Sequence, residues 1–152
     1  KVAKQKSQDL ARLAALVRQM KVGMLTTVEA DGSLRSRPLE TVEVDGEGRL
    51  WFFTQAHSPK SMRVEAADHQ VSLSYADPRD EDFASISGTG RVVRDEDKMR
   101  RLWSSDLGRW FPRGLDDPDL ALLEVRIDKA EYWDEPRHEN VKIGTLAAQH
   151  EG

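Results

Sequence analysis

Two turn signals divide residues 23–54 into three strand-forming runs, and that punctuation limits the fold more than any other feature of the chain. Gly23-Met-Leu-Thr-Thr-Val-Glu29 and residues 34–44 flank Ala30-Asp-Gly32. This is a hairpin signal, because glycine and aspartate accept the positive φ of tight turns. Asp45-Gly-Glu-Gly48 is a second turn, and residues 50–54 form a third run. Strands joined by such short turns run antiparallel, since a parallel pair needs a crossover of a dozen or more residues. Residues 70–76 alternate as a fourth strand, and 77–80 form a turn. Residues 83–93 are a fifth strand, whose Gly88 and Gly90 suit a bend that curls a sheet. Residues 120–133 are the sixth, with Ala121, Leu123, Val125 and Ile127 on one side. Pro38 lies inside the second strand, where it cannot donate to a ladder, and so marks an edge, a bulge or a break.

Helical periodicity fills the connections. Leu10, Leu13, Leu16, Val17 and Met20 recur at three- and four-residue steps, which predicts a helix over 7–20 with Ser7 as its cap. Residues 95–103 read as another, acidic in the first turn and carrying Arg100 and Arg101 in the last. Ser58-Pro59 reads as a cap followed by a first-turn proline, opening a helix over 58–67. The expected fold is α+β: a six-stranded antiparallel barrel with peripheral helices, one domain over 1–136. The polar tail 137–152 is expected to be poorly ordered or to extend over a partner.

Charge and composition narrow the function. A net charge of −4 argues against a general nucleic-acid surface. The absence of cysteine excludes disulfides, Cys-ligated metals and thiol chemistry. No run approaches the roughly 18–20 apolar residues that span a bilayer, so no membrane is expected and the cytoplasm is the default location. His57, His69, His138 and His150 show no metal-ligand spacing, so no metal site is expected. There is no Gly-x-Ser-x-Gly, no Gly-x-Gly-x-x-Gly, no Walker loop and no evident acid–base pair. Any redox chemistry would be carried by a bound cofactor.

The residues that point to a site are Arg35 and Arg37, two apart and so on one face of a strand, with Ser58, Lys60 and Ser61 at a helix start. Strand arginines facing a helix N-terminus suit a phosphate, which accepts bidentate guanidinium bonds and backbone N–H groups. The run Trp51-Phe-Phe53 is core by residue type. Alternation sends Phe52 and Thr54 to one face and Trp51 and Phe53 to the other, leaving a backbone contact to a flat ring open at Phe53 and Thr54. Trp103, Trp110 and Phe111 belong to a long loop, where they are expected to be buried against a ligand or a second subunit. Together these features suggest a phosphorylated aromatic cofactor.

Arg35-Ser-Arg-Pro38, Leu50-Trp-Phe-Phe-Thr54 with Ser58-Pro-Lys-Ser61, Val71-Ser-Leu-Ser-Tyr-Ala-Asp77, Ser87-Gly-Thr-Gly90, Trp110-Phe-Pro-Arg-Gly114 and Glu131-Tyr-Trp133 occur in this order. In this the chain resembles the general stress protein branch of the pyridoxamine 5'-phosphate oxidase-like family, from about residue 10 to 133. The resemblance implies a split β-barrel that dimerises with itself and binds FMN, or FAD, at the interface. It implies that Arg35, Ser36, Arg37 and Pro38 meet the flavin and its phosphate, that Phe53 and Thr54 reach the ring, and that Ser58, Lys60 and Ser61 hold the phosphate. It places Trp103, Trp110 and Phe111 near the cofactor of the other subunit. True oxidases of the family are similar in a C-terminal Arg-x-His pair, whereas Arg137 and His138 are adjacent here. The resemblance therefore implies flavin binding, as a flavin-dependent oxidoreductase or as a non-catalytic flavin carrier, rather than the oxidase reaction. A deazaflavin or haem is the remaining alternative.

Overall fold

The computed structural model describes residues 2–56, 69–134 and 139–145. The elements are α1 (Val2–Met20), β1 (Val22–Val28), β2 (Leu34–Val44), β3 (Arg49–Gln55), β4 (His69–Asp77), β5 (Asp82–Val93), α2 (Glu96–Leu102), β6 (Leu120–Asp134) and β7 (Glu139–Thr145). Two short 3-10 turns, Ser105–Arg109 and Gly114–Asp116, occupy the loop between α2 and β6. The helix expected over 58–67 lies outside the described residues. No helix among the described residues is long and apolar enough to cross a membrane.

Neighbouring strands follow the order β3-β2-β1-β4-β5-β6-β7, and a further β3–β6 pairing closes the first six into an antiparallel barrel. The turns form as their residues dictate. Gly32 takes φ +88°, and the Asp31 carboxylate accepts from the Ser33 backbone N–H at 2.9 Å. Between β5 and β6 the register slips at Ser87/Gly88. A Cβ at Gly88 would stand 2.3 Å from the Arg126 carbonyl oxygen, so only glycine permits this approach of backbones.

Strand alternation then sorts the apolar residues into two cores. Leu25, Leu50, Phe52, Val71, Leu73, Ile86, Leu123 and Val125 fill the barrel interior, where Leu13, Leu16 and Val17 of α1 join them. Each of these three helix residues is fully buried, and burying such a side chain is worth about 1.5–3 kcal/mol. The helix stops at Lys21, whose φ of 63° is a left-handed terminus. Outside the barrel wall, Trp51, Phe53, Leu120 and Leu122 form a second core with Met99 of α2 and Leu107 of the following loop.

β6 serves two partners in turn. Its first half, from Leu120 to Arg126, pairs with β3 and closes the barrel, while its second half, from Lys129, pairs with β7. The expectation for the tail is thereby corrected: residues 139–145 add a seventh strand to the sheet.

Candidate functional site

The barrel wall divides between β2 and β3. These strands pair only at Thr41–Phe52, Glu43–Trp51 and Val44–Leu50. Beyond Thr41 they part: residues 34–40 pair with β1, and Phe53, Thr54 and Gln55 pair with β6. Among the described residues no strand pairs with 34–40 on the side away from β1. Unpaired N–H and C=O groups on such an edge are free to bond a ligand. Pro38 is tolerated there because an open edge asks no ladder bond of it. Of the three readings of this proline, the edge is the one realised.

Register fixes which way each side chain goes. Arg35 and Arg37 lie opposite Thr27 and Leu25, whose side chains are buried. The two arginines therefore share the inner side of the wall, as their spacing requires. Ser36 and Pro38 turn to the outer side, opposite Thr26 and Met24, and the Ser36 and Thr26 hydroxyls share a 2.7 Å hydrogen bond. A ligand that meets all four residues must straddle the strand's free edge.

The arginines carry the electrostatics. With other described residues, neither forms a hydrogen bond or an ion pair. Partial burial and the neighbouring Arg35 charge pull the Arg37 guanidinium below its ordinary pKa, opposed by Glu29. Two cations side by side, one of them partly desolvated, create a potential that an anion relieves.

On the outer side the split is walled by aromatic rings. Phe53 is only 1% exposed. Trp103 meets it edge-on at 5.4 Å between ring centroids, and Phe111 packs at 6.3 Å. The Phe53 side chain is thus occupied, and only its backbone faces the gap, whereas Thr54 is half-buried on the inner side with Phe52. Trp103, Trp110 and Phe111 are each partly buried, packed against the second core.

Sequence reasoning missed Glu40. It stands on the outer face of β2, two residues beyond Pro38, where the strands begin to part. One of its carboxylate oxygens accepts from Trp110 Nε1 and from Arg109 Nη2, each at 3.1 Å. Alternation could have placed Glu40 beside Ser36 and Pro38, but no local rule pairs it with a loop some 70 residues away. Ser58, Lys60 and Ser61 lie outside the described residues.

The model of the pyridoxamine 5'-phosphate oxidase like family matches residues 8–150. The chain belongs to this family. Protein bli-3 of Neurospora crassa is 27% identical over 135 residues, or 82% of this chain and 64% of that protein. The chain thus spans less than two thirds of that relative's length. A Clostridium acetobutylicum structure related to general stress protein 26 of Bacillus subtilis superposes with a TM-score of 0.72 at 21% identity, covering 90% of this chain and 94% of the other, and shares the fold. A general stress FMN/FAD binding protein from Xanthomonas citri superposes with a TM-score of 0.69 at 28% identity, over 87% and 91% of the two chains. Within the pyridoxamine 5'-phosphate oxidase-like family, these relatives put the chain in the general stress protein 26 branch, and its barrel is the family's split barrel.

Proposed function

We propose that this protein binds FMN in the split between β2 and β3 and works as a flavin-dependent oxidoreductase of the general stress branch. The observation that carries this reading is Arg35 and Arg37, two cations without an ion pair among the described residues, beside an open strand edge. The similarity to a relative described as an FMN/FAD binding protein supports it. Arg35 and Arg37 take the phosphate, together with Ser58, Lys60 and Ser61, which follow shortly after Ala56 in the chain. The free edge of 34–40 and the backbone of Phe53 and Thr54 bond the polar rim of the ring, with Ser36 and Pro38 beside it. Trp103, Trp110 and Phe111 wall the outer side and exclude water. Bound FMN would supply the hydride chemistry.

A second reading, a flavin carrier without turnover, is favoured by one observation. Glu40, two residues beyond Pro38 where the strands part, is engaged by Arg109 and Trp110 rather than free to move a proton.

The partner is a second copy of this chain. The outer faces of β2, β1, β4 and β5 present Leu34, Ser36 and Pro38, then Val28, Thr26 and Met24, then Ser72 and Ser74, then Ser87 and Ser85. None of these carries a charge, in a chain that is 33% charged. Leu34 is 70% exposed and Val28, opposite it, 59%. Such a neutral, partly apolar face fits an isologous interface. It shares Leu34, Ser36 and Pro38 with the split, which puts the flavin at the dimer boundary.

Titrating purified protein with FMN and following the visible absorption bands tests the reading. A protein-shifted flavin spectrum saturating at one FMN per subunit is expected, and unchanged free-flavin bands would overturn it. Oxidation of NAD(P)H faster than by free FMN then selects the enzyme over the carrier.

A further inference from the structure

We infer that Glu40 is a latch: it holds the middle of the aromatic loop across the outer mouth of the β2–β3 split, and so sets the rate at which a bound flavin leaves. The inference rests on the flavin reading for its ligand but on Glu40's own contacts for its geometry.

The loop from Trp103 to Asp119 has little regular structure beyond its two 3-10 turns. Its ends are tied down elsewhere. The first follows α2 directly, where the Trp103 N–H donates to the Met99 carbonyl. The far end is joined to β3 and the residue after it by Gln55 Nε2 donating to Asp117 at 3.1 Å and by Ala56 N–H donating to the Asp119 carbonyl at 2.8 Å. Between these anchors, among the described residues, the polar contacts from β2 to the loop are those of Glu40.

Three features mark Glu40 as more than a surface ion pair. Its side chain is 9% exposed while that of Arg109 is 63% exposed, so the carboxylate is shielded by the loop it holds. It receives two donors on one oxygen, and Arg109 also lies over the Trp110 ring at 5.2 Å, so guanidinium, indole and carboxylate interlock. It also sits where β2 leaves β3, two residues from Pro38, a distance of about 7 Å along a strand. A loop held at this point overhangs the open edge. Release of the latch uncovers that edge without touching Arg35 or Arg37.

Trypsin reads the latch without any flavin, because Arg109 and Arg113 are cleavage points within the loop. In Glu40→Ala, cleavage after Arg109 and Arg113 in the folded protein should quicken about tenfold, the scale expected for losing charge-assisted bonds. Stopped-flow displacement should show FMN leaving at least about fivefold faster. Glu40→Gln keeps an acceptor and should recover part of both effects. Trp110→Phe keeps the ring but loses the indole donor, and serves where Glu40→Ala folds poorly. Unchanged cleavage in Glu40→Ala and Trp110→Phe overturns the latch. Faster cleavage with unchanged FMN release overturns its control of the split. If the parent binds no FMN, the flavin reading fails, whereas the cleavage rates still decide whether Glu40 holds the loop.

Discussion

At the scale of single residues, charge placement shows what is structural and what is spare. Asp45 and Glu124 are structural. Arg49 reaches Asp45 at 3.2 Å and Glu124 at 3.3 Å, and Arg91 meets Glu124 at 2.8 Å. Burial alone raises the pKa of Asp45. Hydrogen bonds from Trp51 Nε1 and from the backbone N–H groups of Arg49 and Glu47, with the Arg49 charge, outweigh it and leave the carboxyl below its ordinary value. A depressed carboxylate contributes stability above its unfolded pKa of about 4 and loses it as pH falls through the folded value. Asp45→Asn is therefore expected to melt roughly 2–6 °C lower than the parent at pH 7. Its melting temperature should also fall less steeply than the parent's below about pH 4, which calorimetry across pH measures. Arg35 and Arg37 have no such structural employment. Their common face was legible from a spacing of two, because strand periodicity is strict. That Glu40 would hold Trp110 was not legible, because the bond joins residues that only the folded chain brings together.

At the scale of elements, alternation was the reliable signal and strand pairing was not. The opposite destinations of Phe52 and Phe53 could be read from the sequence, and each strand's extent follows its run of strand-forming residues. The parting of β2 from β3 could not be read, since 34–44 is continuous in character and only Pro38 hinted at a free edge. β7 was missed because residues 139–145 lie in a polar, charged tail, where the short alternation of Val141 and Ile143 was passed over; they pair with β6. Gly88 was legible as a bend, and its cause is the Arg126 carbonyl. Gly88→Ala should cost at least about 2 kcal/mol in urea unfolding, since backbone cannot yield as a side chain does. Gly46→Ala, whose added Cβ would meet nothing within 4 Å, should stay within about 0.5 kcal/mol of the parent.

At the scale of the molecule, a barrel carries a split in its wall and a neutral face beside the split. The barrel was legible because short turns leave few ways to arrange six antiparallel strands. The neutral face was not, because its residues come from four strands and gain meaning only side by side. Leu34→Glu places a charge within the proposed contact between copies. It is expected to shift the mass seen by light scattering from dimer to monomer while the fold, judged by circular dichroism, persists. A monomeric parent would refute the interface. The central claim is that Arg35 and Arg37 are reserved for a phosphate, and comparing FMN with riboflavin isolates it. The parent should bind FMN more tightly than riboflavin, and Arg37→Ala should weaken FMN by about 1–3 kcal/mol while leaving riboflavin nearly unchanged. Equal affinity of the parent for both flavins, or an Arg37→Ala protein that holds FMN as tightly as the parent, would contradict the account.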